Sequence, residues 1–168
     1  MRKKQVVVIG SSDDVQNIDA AYSIGKFIAL KGWVLISGGR GGIMEAASRG
    51  AAEHEGTVVG ILPGEEFEQS NRYCTIVIPT GIGHARNVIN VLSADAIVAI
   101  GGKAGTLSEL AYAWIYGKPV ICCVFAPGWS SQFPLIRVDD REGGIVLAAR
   151  SADEACEKLE EFFARMSP

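Results

Sequence analysis

Three short glycine-rich stretches carry the residues best suited to hold an anion: Gly10-Ser11-Ser12-Asp13, Ser37-Gly38-Gly39-Arg40-Gly41-Gly42 and Gly101-Gly102-Lys103-Ala104-Gly105-Thr106. Glycine lets backbone N–H groups approach an anion closely and takes positive φ without strain. A helix starting directly after such a loop adds its unpaired N–H groups and the positive end of its dipole. The plainer use of these glycines is to make tight turns. Two such loops, each leading from an apolar run into a helical stretch, favour a phosphate cradle over turns alone. Arg40 and Lys103 stand inside the second and third loops, where each either neutralises phosphate charge or stays a solvated loop cation. Neither loop is the dinucleotide fingerprint, and no acidic residue closes the second apolar run to grip a ribose, which argues against NAD.

Two further residues could do chemistry. Arg86 lies in Gly81-Ile82-Gly83-His84-Ala85-Arg86-Asn87 and opens a helical stretch. A cation there opposes the helix dipole unless an anion is near, which makes Arg86 a ligand candidate. His84 is placed to donate to the same anion, but a lone histidine in a glycine turn reads first as structural. Glu109 closes Thr106-Leu107-Ser108-Glu109, which reads first as a capping box. The alternative is a carboxylate that holds a ribose hydroxyl or acts as acid or base.

The elements that must position these residues follow from hydrophobic period. Residues 5–9, 33–36, 57–62, 75–78, 94–100 and 120–125 are short Val- and Ile-rich runs, continuous rather than alternating, as in strands buried on both faces. Helical spacing appears from Ala20 to Lys31, over 42–53, over 85–92, over 106–116, and after a capping box at Ser151-Ala152-Asp153-Glu154. Strands alternating with helices predict an α/β fold: a Rossmann-like, doubly wound, mostly parallel sheet of six to seven strands with helices on both faces. No internal repeat or linker divides the chain, so residues 1–168 read as one nucleotide- or phosphate-binding domain. The stretch 128–142, with Trp129, Phe133 and Arg137, has weak periodicity and reads as either a loop over the site or an interface.

Bulk properties narrow the partners. The formal net charge is −3 and the only basic run is Arg2-Lys3-Lys4, so no basic stripe is available for nucleic acid. No apolar run reaches the roughly 18 residues of a membrane span, and the start lacks the apolar core of a secretory signal. The four cysteines lack zinc-ligand or CxxC spacing, so no metal site is expected and they read as buried, reduced thiols of a cytoplasmic protein.

Together the motifs resemble the Lonely-Guy superfamily, which also carries an old lysine-decarboxylase label. The resemblance rests on Gly10-Ser11-Ser12, on Ser37-Gly38-Gly39-Arg40-Gly41-Gly42-Ile43-Met44, and on Val59-Gly60-Ile61-Leu62-Pro63-Gly64. It continues with Arg86 and with Gly105-Thr106-Leu107-Ser108-Glu109, similar to the family's GT-x-x-E signature. It implies a Rossmann-like fold, a homo-oligomer (dimer or tetramer), and hydrolysis of the N-glycosidic bond of a nucleoside 5′-monophosphate. Arg86 and Glu109 would then match the catalytic pair, and Ser12, Gly39, Gly41, Gly42, Gly105 and Thr106 the phosphate and sugar contacts. Two departures point to a shorter branch. Asn87 follows the arginine where the family has lysine, and Lys103 replaces the second glycine of a loop that also lacks the family's proline. These features are more similar to the molybdenum cofactor carrier proteins, which bind a phosphorylated pterin and leave it unchanged. The expectation is therefore a carrier of a phosphorylated pterin or nucleotide-like ligand, with molybdenum cofactor as cargo and no cofactor needed for chemistry. The alternative is the phosphoribohydrolase. Nothing singles out a lysine for a pyridoxal Schiff base, so the decarboxylase label gains no support.

Overall fold

A computed structural model describes residues 1–166; residues 167 and 168, placed above in the same domain, lie outside the described residues. The strands are β1 (Gln5–Gly10), β2 (Val34–Ser37), β3 (Thr57–Leu62), β4 (Ile76–Pro79), β5 (Ala96–Ile100), β6 (Val120–Cys123) and β7 (Val146–Ala149). The helices are α1 (Ile18–Leu30), α2 (Ile43–Ala52), α3 (Asn87–Leu92), α4 (Ala104–Ile115), α5 (Trp129–Gln132) and α6 (Ala152–Arg165). The strands form one sheet in the order β4-β3-β2-β1-β5-β6-β7, with every neighbouring pair parallel.

The unbroken apolar runs divide between two cores because successive side chains point to opposite faces. Val6 and Val8 join Ile24, Ile28, Ile43 and Leu159 on the face covered by α1, α2 and α6. Val7 and Ile9 join Val91, Leu110 and Phe133 on the face covered by α3, α4 and α5. The neighbours Cys122 and Cys123 split in the same way, are fully buried, and are free thiols with Cys74 and Cys156. Burial pushes Cys122 up to about 12, so the thiol is held protonated and is a weak nucleophile.

Three readings of the sequence are refined. β7 supplies a seventh strand at 146–149, where two of four residues are only half-buried and one is exposed. The stretch 128–142 is neither lid nor free loop in its first part. Phe133 packs edge-to-face on Trp114, and Ser130 is fully buried. Ser130 Oγ accepts from Gly101 N–H at 2.7 Å and donates to the Cys123 carbonyl at 2.7 Å, so this segment anchors the loop after β5. Only half of the capping box at Ser151 forms: its Oγ accepts from Glu154 N–H, while the Glu154 carboxylate accepts from the N–H of Arg150, one residue before the N-cap.

Candidate functional site

β1 lies between β2 and β5, and the chain departs from it in both directions, so the sheet reverses its winding between β1 and β5. Loops leaving the carboxyl ends of two such strands diverge and leave a crevice. A cleft of about 310 Å³ opens there. Gly10, Ser11, Ser12 and Asp13 line it from the β1 loop, and Lys103, Ala104, Gly105 and Thr106 from the β5 loop and the start of α4. Met44, His84, Asn87 and Glu109 complete the wall.

The structure thus unites the first and third glycine loops and sets the second apart. Gly42 supports the first loop: a Cβ there would lie 2.3 Å from the Ser11 carbonyl, and Ile43 N–H donates to that carbonyl at 3.1 Å. Gly39 packs on Gly60, and Arg40 lines a separate depression with Pro63, Gly64 and Gln69. Gly101 is buried beneath Ser130, and Gly102 faces a neighbouring depression on the far side of Lys103.

Arg86 sits at the junction of a 3-10 turn (Gly83–Arg86) and α3, and it is 8% exposed. Its guanidinium lies against Gly38, where a Cβ would come within 2.2 Å of Nη1; only glycine leaves that space. Nη1 donates to the Ile61 carbonyl at 2.5 Å, while Nε is buried without a partner. Arg86 is absent from the residues lining the cleft, so it stands behind the wall rather than in it. Burial pushes its pKa down, with Glu109 opposing and Arg40 adding to the shift. Arg86 has no ion pair among the described residues, and a buried unpaired cation is costly, which makes it a candidate site residue.

Glu109 is where the sequence reading needs correction. α4 begins at Ala104, so Thr106 is its third residue and no capping box forms at 106–109. The helix has no side-chain cap, and its first N–H groups, on Ala104, Gly105 and Thr106, belong to residues that line the cleft. Glu109 is 7% exposed and accepts from Asn90 Nδ2 at 3.0 Å. Burial raises its pKa to about 7, against the opposing pull of Asn90 and of Arg86. The carboxyl is therefore substantially protonated at neutral pH and can donate as well as accept.

Asn90 was not singled out in the sequence, and Asn87 only as the residue standing where the resembled family has lysine. Asn90 is fully buried, and Asn87 Nδ2 donates to Ser108 Oγ at 2.9 Å, which ties α3 to α4. Their signal was present: two asparagines three apart put both on one face of an otherwise apolar helix. At the mouth of the cleft, Lys103 Nζ meets the Asp13 carboxylate at 2.5 Å, and Asp13 also accepts from Ser11 Oγ.

Fold and site together define a Rossmann-like α/β protein with a glycine-lined cleft at its topological switch point. Residues 3–156 match the model of the SLOG cluster4 family, and the chain belongs to that family. It superposes on the molybdenum cofactor binding protein of the phototrophic bacterium Rippkaea orientalis with a TM-score of 0.87 and 38% identity, over 97% of this chain and 99% of that one. The molybdenum cofactor carrier protein of Chlamydomonas reinhardtii aligns with a TM-score of 0.85 and 34% identity, again over 97% and 99%. A cytokinin riboside 5′-monophosphate phosphoribohydrolase of Mycobacterium marinum is 30% identical over 103 residues, 60% of this chain and 55% of that protein. Lonely-Guy kinship and likeness to the carrier branch both hold.

Proposed function

We propose that this protein binds and carries a phosphorylated pterin or nucleotide-like ligand in the β1/β5 cleft, with molybdenum cofactor as the leading cargo. The observation that carries the reading is Gly105. It stands in the first turn of α4, where glycine weakens a helix, yet its φ is not positive and a Cβ would meet nothing within 4 Å. Neither conformation nor packing requires glycine there. What it preserves is open space beside the unpaired N–H groups of α4, as a phosphate would need. Ser11, Ser12 and Thr106 add hydroxyls and Lys103 a charge; Gly10 keeps the β1 loop close to α2. In this reading the second loop (Gly38, Gly39, Arg40, Gly41, Gly42) and Gly101 and Gly102 act by shaping the site. Molybdenum cofactor, where bound, supplies its own redox chemistry, and the protein's part is to hold and shield it.

Gly105→Ala gives a sharp test. The added methyl should raise stability by about 0.5–1 kcal/mol in chemical denaturation. It should also weaken AMP binding by at least about fivefold in calorimetric titration, because it fills the cleft. Unchanged binding would remove the phosphate from this position.

The second reading, a phosphoribohydrolase, draws support from the proximity of Arg86 and Glu109 and from the M. marinum relative. Against it stands the protonation of Glu109. Stabilising an oxocarbenium-like centre needs a carboxylate, and burial raises this group to about 7, so that only part of it carries the charge at neutral pH. A neutral carboxyl one turn inside α4 suits a ligand that must place negative charge at that helix end. Incubation with nucleoside 5′-monophosphates and with molybdopterin, followed by gel filtration, separates the two. The carrier retains ligand and frees no base; base release that disappears in Glu109→Gln would establish the hydrolase instead.

We also read the protein as a cytoplasmic homo-oligomer, dimer or tetramer. Ile89 and Leu92 of α3, with Ile115 and Tyr116 at the end of α4, are exposed on neighbouring elements and offer an apolar face for a second copy. The same column reads the mass, and elution as a monomer would contradict this.

A further inference from the structure

The cleft is not the only depression against Lys103. A second, of about 410 Å³, is lined by Asp14, Val15, Gln16, Asn17, Gly102, Pro127 and Gly128. The two share Ser11, Asp13 and Lys103, and they meet where Lys103 and Asp13 join. Among the described residues, the side-chain partners of Asp13 are Lys103 Nζ and Ser11 Oγ. By contrast, Asp14 next to it accepts from Gln16 N–H, Asn17 N–H and Asn17 Nδ2, and is fixed in its loop. One acidic residue is built into the backbone; its neighbour is built onto the cation of the site.

We propose that Asp13 is a charge gate: it occupies the Lys103 ammonium in the empty protein, and an incoming phosphomonoester displaces it, opening the two depressions into one trough. This rests on the phosphate-binding reading of the cleft. Both partners are solvent-exposed, 74% for Lys103 and 62% for Asp13, so the bridge is weak and breaks without local unfolding. An exposed carboxylate also keeps its charge throughout the neutral range, held down chiefly by its bond to Lys103 and by Ser11. Asp13 therefore competes with an incoming anion for the ammonium across the neutral range. A neutral or singly charged ligand gains little by displacing it, while a dianionic phosphate gains the ammonium and the helix end together. The gate thus selects charge, and the opened trough admits a ligand longer than its phosphate and sugar: a heterocycle reaching past Lys103 towards Gly128.

Asp13→Asn keeps the side-chain shape and the acceptor for Ser11 while removing the competing charge. Calorimetric titration with AMP at low ionic strength should show Asp13→Asn binding about two- to fivefold more tightly than the wild type. The difference should shrink in high salt, where the bridge is screened. Lys103→Ala should weaken binding and erase the gain when combined with Asp13→Asn. If the wild type binds AMP and Asp13→Asn binds it equally or more weakly, the gate is wrong and the phosphate site stands. If neither protein binds AMP, inorganic phosphate or molybdopterin, the phosphate site itself is wrong and the gate falls with it.

Discussion

Glu109→Gln should make the protein more stable above neutral pH and remove a pH dependence that the wild type displays. In the unfolded chain Glu109 ionises near its ordinary value of 4.5, whereas in the fold burial holds it until about pH 7. Below 4.5 both states carry the proton, and the group contributes no pH dependence. Between 4.5 and 7 the folded state binds more protons than the unfolded, so stability falls as pH rises. Above 7 the full cost of an ionised, buried carboxylate is present. A shift of that size corresponds to about 3 kcal/mol. Urea denaturation of both proteins across this range checks it, with the half-buried Trp114 and Trp33 as reporters. The glutamine can still accept from Asn90 Nδ2, so the polar contact between α3 and α4 survives the change. Parallel profiles for the two proteins would mean that Glu109 is already ionised in the folded state, and the electrostatic argument for a carrier would go with it. Binding carries the second half of the test. A carrier should hold its ligand within a few-fold in Glu109→Gln, whereas a hydrolase should bind and no longer turn over.

The fold was legible because a parallel sheet writes itself in one dimension. Strands such as Val6–Ile9 bury both faces and leave an unbroken apolar run, and β1, β2 and β5 are each followed by a helix of ten or more residues. β7 escaped because an edge strand of four residues has only one buried neighbour, and Val146-Leu147-Ala148-Ala149 is too short to show a period. The first and third loops, which line one cleft, could be marked because their pattern is local: a strand end, a turn and a helix start within a few residues.

What the sequence could not show were contacts made at a distance. Thr106 to Glu109 has the spacing of a capping box, and Gly105 looks like loop. The helix nevertheless begins at Ala104, because β5 ends at Ile100 and Ser130, thirty residues on, pins Gly101 in place. Once the helix starts early, Glu109 turns inward to Asn90 instead of back to the backbone. Gly38 misleads in the same way. In sequence it belongs to a phosphate-loop pattern, while in the fold its missing Cβ makes room for a guanidinium 48 positions away. The glycines therefore have different surroundings: Gly105 stands beside open space, and Gly38 and Gly42 leave room for the chain itself.

That division makes Arg86 the residue whose loss should matter most for binding and least for folding. Arg86→Met replaces the guanidinium with an apolar chain of similar length, and the wild-type charge is buried with its Nε unpartnered. Exchanging a buried charge for a packed apolar chain is often neutral or stabilising. Stability in urea should therefore stay within about 1 kcal/mol of the wild type or rise above it. AMP affinity should fall at least about tenfold, because a charge just behind the wall acts through a medium less polarisable than water. Gly38→Ala approaches the same contact from the other side. Its Cβ would drive the guanidinium from its seat and cost stability in the wild type, yet it should be tolerated once Arg86 is methionine. A strongly destabilised Arg86→Met with unchanged AMP binding would assign the arginine to holding the Ile61 carbonyl, and β3 rather than the ligand would be its reason for being there.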